Sequence, residues 1–261
     1  MIRRFPTRMN DLTRKRFLQL VTAGSTALLG AVPWRGLANE FDQWRGERVG
    51  WARLKTPSPH WKRHAGSDRT LTKFFRDQTT LNIEPVWYEA DAEDLAALCA
   101  FPLLFSQDAA AVVGEKGRGN LAEYVRRGGF LLVDACHDIR VTPDFEAFLR
   151  RQFAFCDAVL PEAKILPLPT SHEIYRCFFQ IPEGRPPHTF MGNVYDARKA
   201  SHGLYGVMCG ARMVGIISLC GWQCGWDHVE FPSPSGVGVD VACMRMVVNV
   251  YVYAMMQGGA G

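Results

Sequence analysis

Asp134, Cys136, His137 and Asp138 crowd the end of one apolar run, in the stretch RRGGFLLVDACHD (126–138). A thiol near an imidazole can act as a nucleophile with its base, and carboxylates with an imidazole can hold a metal ion. Each chemistry has a geometric requirement. A nucleophilic cysteine of the amidotransferase kind needs a sharp strand-to-helix turn flanked by glycines, which exposes the thiol and aims backbone N–H groups at the oxyanion. Cys136 is flanked by Ala135 and His137. Its base would have to come from a remote histidine, His172 or His228, since cysteine–histidine pairs are close in space rather than in sequence. The catalytic candidates are therefore Asp134, Cys136 and His172.

For a metal, Asp134, His137 and Asp138 are the candidates, with His172 or the Asp227-His228 pair to complete the set. Their spacing matches no recognised ligand pattern, so neither a metal nor a cofactor is expected. The plainer expectation is that Cys136 is covered by a loop and that Asp134 or Asp138 binds turn N–H groups. A second cluster, SLCGWQCGWDH (218–228), carries Cys220 and Cys224, which could form a local disulfide or stay as thiols. Trp222 and Trp226 could form a binding lip beside Asp227, because aromatic residues are enriched at recognition surfaces. The ligand-binding candidates are thus Asp134, His137, Asp138, Trp222, Trp226 and Asp227. Two glycine-rich stretches, GEKGRGN (114–120) and GVGVD (236–240), lack the full phosphate-binding fingerprints, although Arg118 could assist an anion at the first.

The elements that must position these residues alternate. Strands are expected at 48–56, 83–90, 101–107 and 130–135, the second at an edge because of Pro85, the last central because its apolar run is continuous. Helices are expected at 67–80 (Ser67 or Asp68 as cap; Leu71, Phe74 and Phe75 on one face), 91–100, 120–128, 142–155 (Thr142 as cap) and 241–256. A hairpin is expected at 205–219, turning near Gly210. This order predicts an α/β fold: a mostly parallel sheet flanked by helices on both faces, with a late β-hairpin. Ligands then sit at the carboxyl ends of the strands, where DACHD lies.

The first 38 residues read differently. TRKRFLQ precedes a mild apolar stretch, LVTAGSTALLGAV, and a small-residue end at Gly36-Leu37-Ala38. This resembles a twin-arginine signal peptide, carried by Arg14, Lys15, Phe17 and Leu18, with Lys15 in place of the second arginine. Export to the periplasm is expected. An uncleaved segment would instead anchor the chain, the one route to membrane contact. Residues 39–47 form a polar lead-in and 48–257 a single α/β domain. The segment 1–38 holds seven basic residues and one acidic. Subtracting these from the 30 basic and 26 acidic residues of the chain leaves 23 against 25, so the remainder has no basic surplus for nucleic acid.

The ordered set FPLLF, LAEYVRRGGFLLVDAC, LPTSHEIYRCFFQI, GARMVGIIS, a Trp-acid pair and NVYVYAM is similar to the family known as domain of unknown function 4159. The resemblance spans nearly all of 48–257. It implies a flavodoxin-like fold akin to class I glutamine amidotransferases, an exported or membrane-linked bacterial protein, and no established activity. Members often carry Asp-Asp after the Gly-Gly strand and Asp-His before the later Tyr step, where this chain has Asp134-Ala135 and Ser171-His172. The reading that follows is a non-catalytic ligand-binding or assembly module with an envelope protein partner. The alternative is a metal- or Cys-dependent hydrolase using the edge from Asp134 to Asp138.

Overall fold

A computed structural model describes residues 48–138, 140–184, 186–188, 203–227 and 239–257. The leader, the lead-in and His228 lie outside the described residues. Among the described residues, no helix is long and apolar enough to cross a membrane.

In chain order the main elements are β1 (Val49–Lys55), α1 (Asp68–Gln78), β2 (Ile83–Asp91), α2 (Leu95–Cys99), β3 (Leu103–Ser106), α3 (Glu115–Arg126) and β4 (Phe130–Asp134). Then follow α4 (Phe145–Val159), β5 (Lys164–Pro167), β6 (Leu204–Cys209), β7 (Arg212–Ser218), α5 (Trp222–Trp226) and α6 (Val239–Gln257). The seven strands form one sheet in the order β2-β1-β3-β4-β7-β6-β5. β2, β1, β3, β4 and β7 run parallel, and β6 and β5 add antiparallel pairings at the far side. The fold is α/β and flavodoxin-like, with the late hairpin β6–β7 turning at Gly210, whose φ of 61° suits a glycine.

Alternation of side chains along each strand separates two apolar layers. Trp51, Leu103, Phe105, Phe130 and Leu132 face α1, α5 and α6, where they meet Leu71, Phe75, Trp226 and Tyr251. Ala52, Leu54, Leu104 and Val133 face α2, α3 and α4, where they meet Leu98, Leu121, Val125 and Phe148. Both faces are covered, which is why β3 and β4 read as unbroken apolar runs.

Two local expectations are corrected, and a third holds in position only. α3 starts at Glu115, so most of GEKGRGN is helix rather than a loop. Gly117 permits this, since a Cβ there would stand 3.0 Å from Val112 Cγ1, and Arg118 spends its Nε on the carbonyl of Val112 (2.9 Å). α4 is capped by Asp144, whose carboxylate accepts from Ala147 N–H (2.9 Å), in place of Thr142. Ser67 holds the N-cap position of α1, but its hydroxyl donates to the carbonyl of His64 (2.6 Å), and Asp68 turns inward.

Gly215 marks the tightest approach at the sheet centre. A Cβ there would lie 2.7 Å from the carbonyl oxygen of Leu131 on β4. A backbone atom cannot step aside as a side chain can. Gly215→Ala is therefore expected to cost about 1–3 kcal/mol. Urea unfolding checks this by a lower midpoint at unchanged slope.

Candidate functional site

The carboxyl ends of β1, β3, β4 and β7 share one rim. On β1, Arg53 is fully buried and paired with the equally buried Asp68 at the start of α1. The pair is bidentate, with Nε to Oδ2 at 2.6 Å and Nη2 to Oδ1 at 2.8 Å, and Trp51 Nε1 donates to the same carboxylate at 2.9 Å. The remaining Arg53 nitrogen donates to the carbonyls of Trp61 (3.2 Å) and Arg63 (3.1 Å). It thereby fastens the segment after β1 directly before His64. His64 has φ 58°, the one non-glycine among the described residues in the left-handed region. That conformation costs energy and is held by its surroundings.

His64 reaches the end of β4. Its Nε2 lies 3.7 Å from Cys136 Sγ, and Cys136 Sγ lies 3.6 Å from Cys224 Sγ on α5. Its Nδ1 meets the carboxylate of Asp227. The backbone N–H of His137 donates to Cys224 Sγ at 3.4 Å. All three donor atoms of His64, Cys136 and Cys224 fall within 4.8 Å of one another, in buried surroundings. Hydrogen bonding from Cys224, and then from His64, draws the Cys136 thiol well below the usual thiol range against the opposing effect of burial. Cys224, the donor of that bond, is pushed far up. For His64, burial lowers the pKa, but the contacts with Cys136 and Asp227 outweigh it and the net shift is upward.

Asp134 ends β4 opposite Ser218 of β7 in the sheet register, which explains its first contact, the Ser218 hydroxyl at 2.7 Å. Its two oxygens also accept from the N–H groups of Gly221 (3.1 Å) and Gln223 (3.0 Å) at the start of α5. Burial is the largest influence and pushes its carboxyl up to about 7. Asp134 thus clamps α5 onto the sheet, and its oxygens are spent on protein donors. The Gln223 amide in turn lies beside Gln107, at the end of β3, and the Arg53–Asp68 pair. Gly221 sits at φ 65° under the imidazole of His137, which leaves 2.6 Å for any Cβ.

The residues singled out in the sequence are dispersed over several separate contacts. Cys136 and Asp227 come together, but through His64, which sequence reasoning missed. His137 points the other way: its Nε2 donates to the carbonyl of Leu219 (2.8 Å), its ring meets Phe145 edge-on, and burial lowers its pKa to about 4. Asp138 accepts from Arg140 and Arg63, and the Arg140 contacts lead in holding its carboxyl well below the usual range. The expected cluster of Asp134, His137 and Asp138 is therefore not one cluster, because each of the three is engaged by a different neighbour.

The second cluster is corrected as well. Trp222 and Trp226 form no lip. Trp222 is 0% and Trp226 1% exposed. Trp222 donates to the carbonyl of Pro187 (2.9 Å), and Trp226 packs edge-on to Trp51 and tilted against Phe105. Their apolar area is buried between α5 and the sheet. His172 is not beside Cys136: its Nδ1 accepts from Ile174 N–H (3.2 Å) and its ring lies 5.6 Å from that of Tyr253. Cys220 and Cys224 also part, Cys220 lying 3.5 Å from His188 Nε2. The signal that could have found His64 was topological. The segment TPSPHWKRHAGS follows a parallel strand, so it must join DACHD on the same rim.

What the rim can do follows from these contacts. Cys136, His64 and Asp227 stand in the order of nucleophile, base and orienting acid. Cys136, Cys224 and His64 also offer three soft donors to one point. No curated protein matches the chain. A family model does match, over residues 51–255, which is most of the chain and every strand from β1 to β7 save the first residues of β1. The chain belongs to the family described as Domain of unknown function (DUF4159).

Proposed function

We propose that the protein is a non-catalytic ligand-binding module of the bacterial envelope, whose ligand is taken at the rim formed by His64, Cys136, Cys224 and Asp227. The observation that carries this is the occupation of the α5 start by Asp134. An acyl-transfer site needs free N–H groups aimed at a developing oxyanion. Here the N–H groups of Gly221 and Gln223, at the start of the helix that carries Cys224, are bound to a carboxylate. Cys136 is also only 1% exposed. Location in the envelope rests on the leader read in residues 1–38, and assembly with an envelope partner rests on that location.

A second reading keeps the cysteine-dependent hydrolase, and the line Cys136–His64–Asp227 favours it. Melting of the full chain against a panel of small ligands separates the two. The panel holds divalent cations, inorganic phosphate, carboxylic acids and nucleotides. A binder at a hundred times its Kd adds about 2.7 kcal/mol. For a chain of this size that raises Tm by about 5–10 °C. The rise is expected to vanish in His64→Ala. Release of p-nitrophenol from activated esters, or of ammonia from glutamine, lost in Cys136→Ser, would place the hydrolase first.

A further inference from the structure

We infer that His64 Nε2, Cys136 Sγ and Cys224 Sγ are the protein ligands of a Zn²⁺-class divalent cation. This rests on the binding reading above and names the chemistry of its ligand. The first argument is metrical. Two thiolates about 2.3 Å from one tetrahedral ion stand about 3.7–3.8 Å apart, and a thiolate and an imidazole nitrogen about 3.5 Å. The observed separations are 3.6 Å for the two sulfurs and 3.7 Å for Cys136 and His64. A disulfide would bring the sulfurs to about 2.05 Å.

The second argument concerns what stands behind each donor. A ligating histidine commonly donates its other ring N–H to a carboxylate, which fixes tautomer and ring orientation. Asp227 does this at Nδ1 and leaves Nε2 to face the two sulfurs. Cys224 Sγ accepts a backbone N–H from His137, an interaction that suits a sulfur carrying negative charge. The third argument is the placement of His64. Its left-handed backbone is held on both sides, by the Arg53 bonds to Trp61 and Arg63 before it and by the Ser67 hydroxyl on its own carbonyl. Strain maintained in this way is a mark of a functional position.

The donor types select the ion. Two thiolates and an imidazole suit Zn²⁺, and they disfavour Mg²⁺ and Ca²⁺, which take oxygen. The set is also distinct from the Asp134, His137 and Asp138 candidates, which bond to Ser218, to the Leu219 carbonyl and to Arg140 instead. Among the described residues, the set of mutually close His, Cys, Asp and Glu donors stops at three.

Co²⁺ is the probe, because a tetrahedral thiolate site gives it a sulfur-to-cobalt charge-transfer band and strong visible d–d bands. The full chain is purified without affinity histidines, reduced, stripped with chelator, and its thiols counted. The expected result is one Co²⁺ per chain with both sets of bands, displaced by one equivalent of Zn²⁺. Cys224→Ser is expected to weaken the charge-transfer band and His64→Ala to lower affinity at least tenfold. Asp227→Asn is expected to keep the bands while lowering affinity about 10–100-fold. Circular dichroism confirms that each variant is folded. Absence of the charge-transfer band in reduced, folded protein overturns the inference, as does a band unchanged in both Cys224→Ser and Cys136→Ser. In either event a non-metallic panel member that still raises Tm through His64 leaves the binding reading standing, whereas a panel without any such effect removes both.

Discussion

Asp68→Ala is expected to be the most damaging single change in the molecule. Arg53 and Asp68 are both out of contact with water, and the carboxylate serves Arg53 twice and Trp51 once. Removing it leaves a buried guanidinium without its counter-charge, a loss of about 3–5 kcal/mol. A domain whose whole stability is about 5–15 kcal/mol gives up a large share of it. Chemical denaturation of the full chain measures the loss. Replacing both partners, Arg53→Met with Asp68→Leu, tests what the pair is for. Buried ion pairs exchanged for apolar residues of similar volume often cost little stability. The double variant is therefore expected to recover most of the lost midpoint. It still lacks donors for the carbonyls of Trp61 and Arg63, so His64 is released from its position. Near-normal stability with at least tenfold weaker Co²⁺ binding is the expected outcome. Equal recovery of both would show that Arg53 does not position His64.

Asn249→Ala is expected to be nearly as costly, for a different reason. Asn249 lies in the middle of α6 at 0% exposure. Its amide donates to the carbonyls of Ile174 and Phe179, each at 2.8 Å, and accepts from the N–H of Phe179 at 2.7 Å. One side chain thus satisfies three backbone groups of an irregular segment. Each buried group left without a partner costs about 1–3 kcal/mol, so the total is about 3 kcal/mol or more. The effect extends along the chain. The segment continues to Pro187, whose carbonyl holds Trp222, and to His188, which meets Cys220. Limited proteolysis is expected to cut the variant between residues 174 and 188 faster than the parent, with denaturant unfolding giving the size of the loss.

The frame of the fold was legible because hydrophobic pattern and chain punctuation report on backbone. The run Phe130–Val133 after Gly128-Gly129 marked a buried parallel strand, and Pro85 marked an edge. The elements that escaped are short and depend on tertiary contacts. β5 is four residues ending in Pro167, and α5 is five residues whose start is fixed by Asp134 from another strand. The site was half legible. DACHD was placed on the rim, and Cys136 and Asp227 do converge there. What joins them is His64, which no local pattern distinguishes from His60 four residues earlier. Its role depends on the bonds from Arg53 and on a left-handed backbone, neither of which has a sequence signature. The tryptophans misled for a related reason. Trp222 and Trp226 look equally suited to a lip or a core, and only the packing of α5 on Trp51 and Phe105 decides.

His64 and Cys136 are 72 residues apart in the chain, and Cys136 and Cys224 are 88 apart. They become neighbours only once β1, β4 and β7 lie in register. An unfinished chain therefore offers no three-donor site, and ion capture has to follow folding. Thiolate and imidazole sites bind Cu²⁺ more tightly than Zn²⁺ when both are available. The ion acquired is then decided by what is abundant where the chain folds, rather than by what surrounds it afterwards. If residues 1–38 act as the twin-arginine-type leader proposed, that place would be the cytoplasm. The protein would then arrive in the envelope already loaded, carrying an ion chosen on the other side of the membrane.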